Sequence, residues 1–332
     1  MKRFSILLAA ATLVGVPLSA QAQEIRIARQ FSMGYLQFNV MEHEKLLEKH
    51  ASALGLKDVK IAWSTFNGPN AMNDALISDS IDNVAGGVPG LLTLWNRTKG
   101  TQNEVRGISA LSSQPFLLNT RSDSIKSIAD LKDSDRIAVP AVKVSVQAVA
   151  LQMAAAKLHG QANYGKYDAL TVSMSPPDAT IALLSGSGEI NNVFSVPPFQ
   201  QQQLEKAGVR TILNSFDIMD GPHTFTVAWT TARFRDKNPA LYKALIAALK
   251  EATDIVDKDR AKAAGYWIKD VNSKLALDKV TAVVSGPQVR WTMVPENSMK
   301  FAAFMHSVGS LKEAPKSWKD LFFPEIHDLN GS

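Results

Sequence analysis

The sequence predicts an α/β protein of two lobes with a helical C-terminal tail. Short β-like runs alternate with amphipathic helical runs from Glu24 onward. The same rhythm restarts near Ser127, and beyond Trp229 the texture turns to helix. Composition agrees: 45% hydrophobic and 20% charged residues are ordinary globular usage, which sets aside disordered and collagen-like chains. The 332 residues leave room for two domains, each with its own core. The absence of cysteine removes thiol nucleophiles, zinc–thiolate sites, iron–sulfur clusters and disulfides together.

The first 22 residues read as a secretory signal. Lys2 and Arg3 precede an apolar run, Phe4 to Val16, and Ala20-Gln21-Ala22 offers small residues where a signal peptidase cuts, so cleavage is expected after Ala22. The run is shorter than the roughly 20 apolar residues that span a bilayer. No cysteine follows it to carry a lipid. The expected mature chain has 310 residues, starts at Gln23 and is soluble; its place in the periplasm is implied by the resemblance given below. Losing Lys2 and Arg3 lowers the formal charge from +5 to +3. No cluster of Lys and Arg suggests nucleic acid as a partner.

Glu24 to Ala28 alternates strictly and opens the first strand. Val40, Leu47 and Leu54 recur at seven-residue steps, predicting one helix over 40–54 with Gly55 as its stop. Strands follow at Val59–Trp63, Asn83–Ala85 and Val105–Leu111, with a helix near Ala71–Ser80. Ser127-Ile128-Ala129-Asp130 is a capping signal, and Arg136–Val139 is a strand ended by Pro140. Ser145 opens a long helix, and Ser175-Pro176-Pro177-Asp178 opens another. Val193-Phe194 and Thr211–Leu213 are short buried strands, and Thr224–Trp229 is strand-like. Asn238-Pro239 then starts a helix with the stripe Leu241, Leu245, Ala248, Leu249, Ala252, Ile255 and Val256. Helical segments are expected over Asp259–Asp270, around Val289–Trp291 and over Glu296–Val308. The chain is expected to cross between lobes near Phe116–Asn119 and return near Thr224–Trp229, so that residues 23–117 and 224–332 form one lobe and 118–223 the other. Two crossings leave a cleft, a usual place for a small ligand, and permit hinge closure.

Enzyme motifs are missing. His43 and His50 lie seven apart on one expected helix, but zincin spacing needs a histidine where Leu47 stands, so they read as helix-surface polars and no metal site is expected. Gly86-Gly87 and Gly186-Ser187-Gly188 lack the further glycines and lysine of a phosphate loop, and no Gly-x-Ser-x-Gly elbow occurs. No cofactor or catalytic residue is expected.

Binding signals are better. Ser64–Pro69, Gly86–Pro89, Pro140–Ser145 and Ser195–Pro198 each follow a strand and lead toward a helix. Helix N-termini carry free N–H groups and partial positive charge, and ligands of open α/β sheets sit at the carboxyl ends of strands. Serine and asparagine in any one turn also serve simply as caps. Lys143 is the one cation in these turns, and reads as either a ligand contact or a solvated lysine.

These residues carry a resemblance. Ile25-Arg26-Ile27, Trp63 with Phe66-Asn67-Gly68-Pro69, Asp74-Ala75-Leu76 before Ser80-Ile81-Asp82, and Gly86-Gly87-Val88-Pro89 appear in order. Ile128–Lys132 with Ile137–Val139, Pro177-Asp178-Ala179 with Ala182–Gly186, and Phe234 through Pro239 follow. Across residues 24 to 325 the chain resembles periplasmic substrate-binding proteins of ABC importers, in the sulfonate/nitrate/taurine (SsuA/THI5-like, NMT1-like) group that also includes thiamine-pyrimidine precursor binders. The resemblance implies the two-lobe periplasmic binding protein fold (type II) with two crossover strands. It also implies capture of a small anionic or heterocyclic solute and its delivery to a permease and ATPase. A monomer is expected, and ligand sensing is the alternative role. An enzyme on this fold, the yeast-type pyrimidine synthase, depends on a cysteine-rich motif that this chain lacks. The turns Arg29–Gly34, Gly87-Val88-Pro89 and Pro140–Lys143 depart from the sulfonate pattern. The expected ligand residues are Phe31, Ser32, Asn67, Gly68, Gly86, Gly87, Lys143, Ser145, Ser195 and His223. Phe31, Tyr35, Phe66, Trp95, Phe194 and Phe199 are either aromatic wall or core.

Overall fold

The computed structural model describes residues 23–332; the expected signal segment and its cleavage point at Ala22 lie outside the described residues. The strands are β1 Glu24–Gln30, β2 Lys60–Phe66, β3 Asn83–Gly87, β4 Val105–Ser113, β5 Leu117–Thr120, β6 Ile137–Val139, β7 Thr171–Ser173, β8 Asn192–Ser195, β9 Arg210–Asn214, β10 Thr224–Thr231 and β11 Arg290–Trp291. They form two sheets, ordered β2-β1-β3-β10-β4-β11 and β7-β6-β8-β5-β9.

The two sheets share one plan. In the first, β1 lies parallel between β2 and β3, and β10 runs antiparallel between β3 and β4. In the second, β6 lies parallel between β7 and β8, and β5 runs antiparallel between β8 and β9. Each antiparallel strand arrives from the other sheet's run of chain: β5 follows β4 directly, and β10 returns after β9. The restart of rhythm near Ser127 is thus a second copy of one sheet plan, with the crossing strands exchanged.

Local chemistry explains most elements. Ile25 and Ile27 of β1 are buried while Glu24 is exposed, matching the alternation in sequence. Every residue of β10 is buried, as a strand paired on both sides and covered on both faces must be. The side chain of Ser127 caps Ile128–Asp130 in a complete capping box. Helix Pro239–Lys258 buries Leu241, Leu245, Ala248, Leu249, Ala252 and Val256 against the N-terminal helices. Three apolar clusters result, and the largest runs through the interlobe boundary, with Val84 and Trp229 on one side and Val139 and Phe194 on the other.

Two expected elements are corrected. Residues 40–54 form two helices, Leu36–Glu44 and Leu46–Ala53, broken at Lys45, whose φ is 52°. The break shifts the helical phase, so Leu54, third in the seven-residue series, is 39% exposed. Around Val289–Trp291 the chain is not helical. Arg290 and Trp291 pair with Ser113 and Ser112 at the sheet edge, and the Trp291 indole donates to Val284 O at 3.1 Å. A helix at Leu277–Val284 precedes this strand.

Candidate functional site: the interlobe cleft

The loops after β1, β2 and β3 meet those after β6 and β8, so the carboxyl ends of parallel strands from both sheets face each other. Four helices start there. Gly87 is the N-cap of Val88–Thr98 and Gly68 that of Pro69–Ile77, both from the first lobe. From the second lobe, Ser145 caps Val146–His159, its Oγ accepting from Ala148 N, and Ser175 caps Pro176–Ser185, its Oγ accepting from Asp178 N.

The lobes touch. Ser32 Oγ and Met33 N–H both donate to Pro197 O, at 3.0 and 2.9 Å. Glycine makes the approach possible. A Cβ on Gly87 would lie 2.6 Å from Val146 Cβ, and one on Gly68 would lie 2.9 Å from Pro140 O. Between them an inner chamber encloses only about 20 Å³, space for about one water. Gln30, Phe31, Tyr35, Gln147 and Phe225 contribute to its lining, and no charged side chain does. Burial pushes the Tyr35 phenol pKa up, so its hydroxyl stays neutral. An outer mouth of 620 Å³ lies between Asn67 and Gly68 on one side and Pro140 and Ser175 on the other. A side cavity of 350 Å³, lined by Arg29, Phe31, Phe199 and Asp270, opens off the first-lobe loop.

The expected site residues divide among these places. Phe31, Ser32, Gly87 and Ser145 come together at the inner chamber, and Asn67 and Gly68 at the outer mouth. Ser145 Oγ donates to Ala141 O at 2.8 Å as well as capping its helix. Gly86 is packed from behind by Gln30, Trp229 and Met72, where a Cβ would come within 2.7 Å of Gln30 Nε2. Ser195 Oγ is buried and accepts from Gln203 Nε2 at 3.0 Å. Lys143 is exposed with φ 64° and lines none of the three cavities. His223 is completely buried at the crossing into β10, bonded to Ser215 and Thr224, and lines none of them either. Of the aromatic candidates, Phe31 and Tyr35 line the chamber, Phe66 the mouth and Phe199 the side cavity. Trp95 and Phe194, each 1% exposed, belong to the core.

Sequence reading names Gln30 only as part of the turn Arg29–Gly34 and passes over Gln147. The available signal is position: Gln30 precedes Phe31, and Gln147 stands two residues past the Ser145 cap. His43 and His50 reach different partners, Asp270 Oδ1 at 2.6 Å and Glu251 Oε2 at 2.7 Å. Among the described residues no cluster of three or more His, Asp or Glu is placed to hold a metal ion, and no helix is long and apolar enough to cross a membrane.

The sequence profile of the NMT1-like family matches residues 19–268. The chain belongs to the NMT1-like family. Curated protein sequences give no match. Solved structures share the family member's fold at low identity. The alkanesulfonate-binding protein SsuA from Xanthomonas axonopodis pv. citri, bound to MOPS, is 17% identical with a TM-score of 0.66, the match covering 90% of this chain and 96% of that one. The aliphatic sulphonate binding protein SsuA from Escherichia coli is 18% identical with a TM-score of 0.64, over 91% and 92%. The nitrate-binding protein NrtA from Synechocystis PCC 6803 is 14% identical with a TM-score of 0.67, over 90% and 84%. The NMT1-like chain thus has the two-lobe α/β fold of periplasmic binding proteins, with helices at its C-terminal end.

Proposed function

We propose that this protein is the periplasmic solute-binding component of an ABC importer. It captures a small anionic or heterocyclic solute of the sulfonate, nitrate or taurine kind between its lobes and hands it, as a monomer, to a permease and its ATPase. The carrying observation is the convergence of four helix N-termini, two from each lobe, on one cleft whose inner lining has no charged side chain. Such termini hold an anion through N–H groups and the helix dipole, with no counter-charge required. Family membership and the sulfonate- and nitrate-binding neighbours support the same reading. Phe31, Tyr35 and Phe225 at the chamber also suit a flat heterocycle, which keeps a thiamine-pyrimidine precursor as the second reading.

The proposed lobes are 23–117 with 224–332, and 118–223. The proposed contacts are Phe31, Ser32, Gly87 and Ser145 inside, with Asn67 and Gly68 at the mouth. Because the chamber holds about one water when the lobes touch, a solute enters only as they part. The test is a thermal-shift panel of alkyl and aryl sulfonates, nitrate, taurine and pyrimidines on ligand-stripped protein. Binding at a hundredfold excess over Kd stabilises by about 2.7 kcal/mol. No shift with any of these solutes, in a folded sample, rejects the reading.

A further inference from the structure

We propose that the side cavity is a subsite for a small zwitterion, with Arg29 taking its acid group and Asp270 its ammonium. The first strand places one of these charges. Along β1, Ile25, Ile27 and Arg29 share one face while Ala28 and Gln30 share the other, and Arg29 lines the side cavity and not the chamber. Trp63 of β2 supports its guanidinium, with Cζ 5.7 Å from the ring centre. Asp270 ends helix Arg260–Asp270 and lines the same cavity. Both side chains are 13% exposed.

Arg29 is poorly paired for so buried a charge. A guanidinium satisfies a carboxylate best through two short bonds, and Arg26 holds Asp82 in this way at 3.0 and 2.7 Å. Arg29 has no such partner among the described residues. Its Nη1 is buried with no hydrogen bond, and its Nη2 reaches Glu42 Oε2 only at 3.4 Å and Asp270 Oδ2 at 3.6 Å. Asp270 accepts instead from Asn39 Nδ2, and His43 Nε2 lies 2.6 Å from its Oδ1. The guanidinium therefore keeps donors for an acid group. The cavity is not an anion trap, however. Its charged lining side chains are Arg29 and Asp270, and Glu42 stands beside Arg29. A bare anion meets Arg29 and is repelled by Asp270, and a bare cation meets the reverse. A solute with both charges close together satisfies both. Phe31 and Trp267 from the first lobe and Phe199 from the second give it an apolar wall. The 350 Å³ volume falls in the range of small-ligand pockets, and Gln30, Phe31 and Ser32 line the chamber as well, so the two spaces adjoin.

The inference rests on the solute-binding reading and narrows its ligand class. The test is isothermal titration calorimetry on ligand-stripped protein. The probes are two zwitterions, β-alanine and taurine, and their ammonium-free counterparts, propionate and ethanesulfonate. A zwitterion should bind at least about tenfold more tightly than its counterpart, the weight of a hydrogen bond to a buried charge. The preference in either pair supports the proposal, and the pair that shows it tells carboxylate from sulfonate. Arg29→Gln should weaken the preferred zwitterion roughly ten- to a hundredfold. Asp270→Asn should weaken the zwitterion by a similar factor and leave its counterpart as tight or tighter, a crossover that a merely structural carboxylate would not produce. Counterparts that bind as tightly as both zwitterions would overturn the proposal and leave the solute-binding reading standing. So would binding of nitrate or a pyrimidine alone. If no solute of the wider panel binds, both fall. If the variants fail to fold, the preference measured on the unsubstituted protein decides alone.

Discussion

The boundary between the lobes is built differently at its two ends. At the hinge, two crossings lie together, His223 sits wholly buried among Phe116, Phe216 and Phe301, and the polar groups around it are paired. At the cleft, the lobes meet through glycines, through two hydrogen bonds to one carbonyl, Pro197 O, and through apolar packing between the helices that start at Val88 and Val146. Apolar burial and complete pairing make the first end a fixed point. Glycines in place of side chains at the closest approach make the second end the separable one. A trap needs this difference: one end must keep its geometry while the other opens and shuts.

The largest expected effect is at the fixed end. Phe116 is fully buried in the cluster that spans both lobes, so Phe116→Ala should cost about 3–5 kcal/mol in urea unfolding. A loss as small as that of a surface substitution would mean the hinge is not a packed core. Next is pH. The folded state holds His223 at about 4, below its ordinary 6.5, so the unfolded chain binds the proton first. Stability from this group is complete above pH 6.5 and falls as pH drops toward 4, by up to ~3 kcal/mol. The stability-versus-pH slope of His223→Phe should be flatter by that amount over this window, and equal slopes would refute a buried neutral imidazole.

The separable end should respond in affinity and leave stability alone. Gly87 has φ −75°, which alanine adopts freely, but the new methyl meets Val146. Gly87→Ala should weaken binding of the most stabilising solute roughly ten- to a hundredfold in calorimetry, with the melting temperature retained. Undiminished affinity would mean that the lobes bind without closing this far. Ser32→Ala removes one of the two bonds to Pro197 O and should cost about fivefold. The smallest effect belongs to Lys143, exposed and outside the cavities. Lys143→Asn, which tolerates the left-handed backbone there, should change affinity by less than about twofold. A larger loss would bring Lys143 into the site.

This contrast also marks what sequence could reveal. Helix starts are local chemistry, so Ser127, Ser145 and Ser175 announce themselves as caps and the structure uses all three. The α/β rhythm and its restart are legible because strands and helices differ in hydrophobic period. The break at Lys45 is not, because no glycine, proline or asparagine stands there; packing against helix Pro239–Lys258 overrides the heptad pattern. Trp291 stands in a run without strong alternation that reads as helix, and only the open edge of β4 makes it a strand. At the cleft, the helix starts at Gly87 and Ser145 are legible as strand-to-helix turns. Gln147 is not, and Gln30 is legible only as part of its turn, because a glutamine beside a turn looks the same whether it faces a cleft or solvent. His223 carries no local mark of its place: its role depends on Ser215 and Phe116, and Phe116 lies more than a hundred positions away along the chain.

In the proposed function, solute binding and lobe closure are one event at the helix N-termini. Small-angle X-ray scattering tests it most directly, on stripped protein titrated with the solute that gives the largest thermal shift. The radius of gyration should fall as the solute saturates the protein, and fall less in Gly87→Ala. A radius unchanged at saturation in both proteins would contradict it.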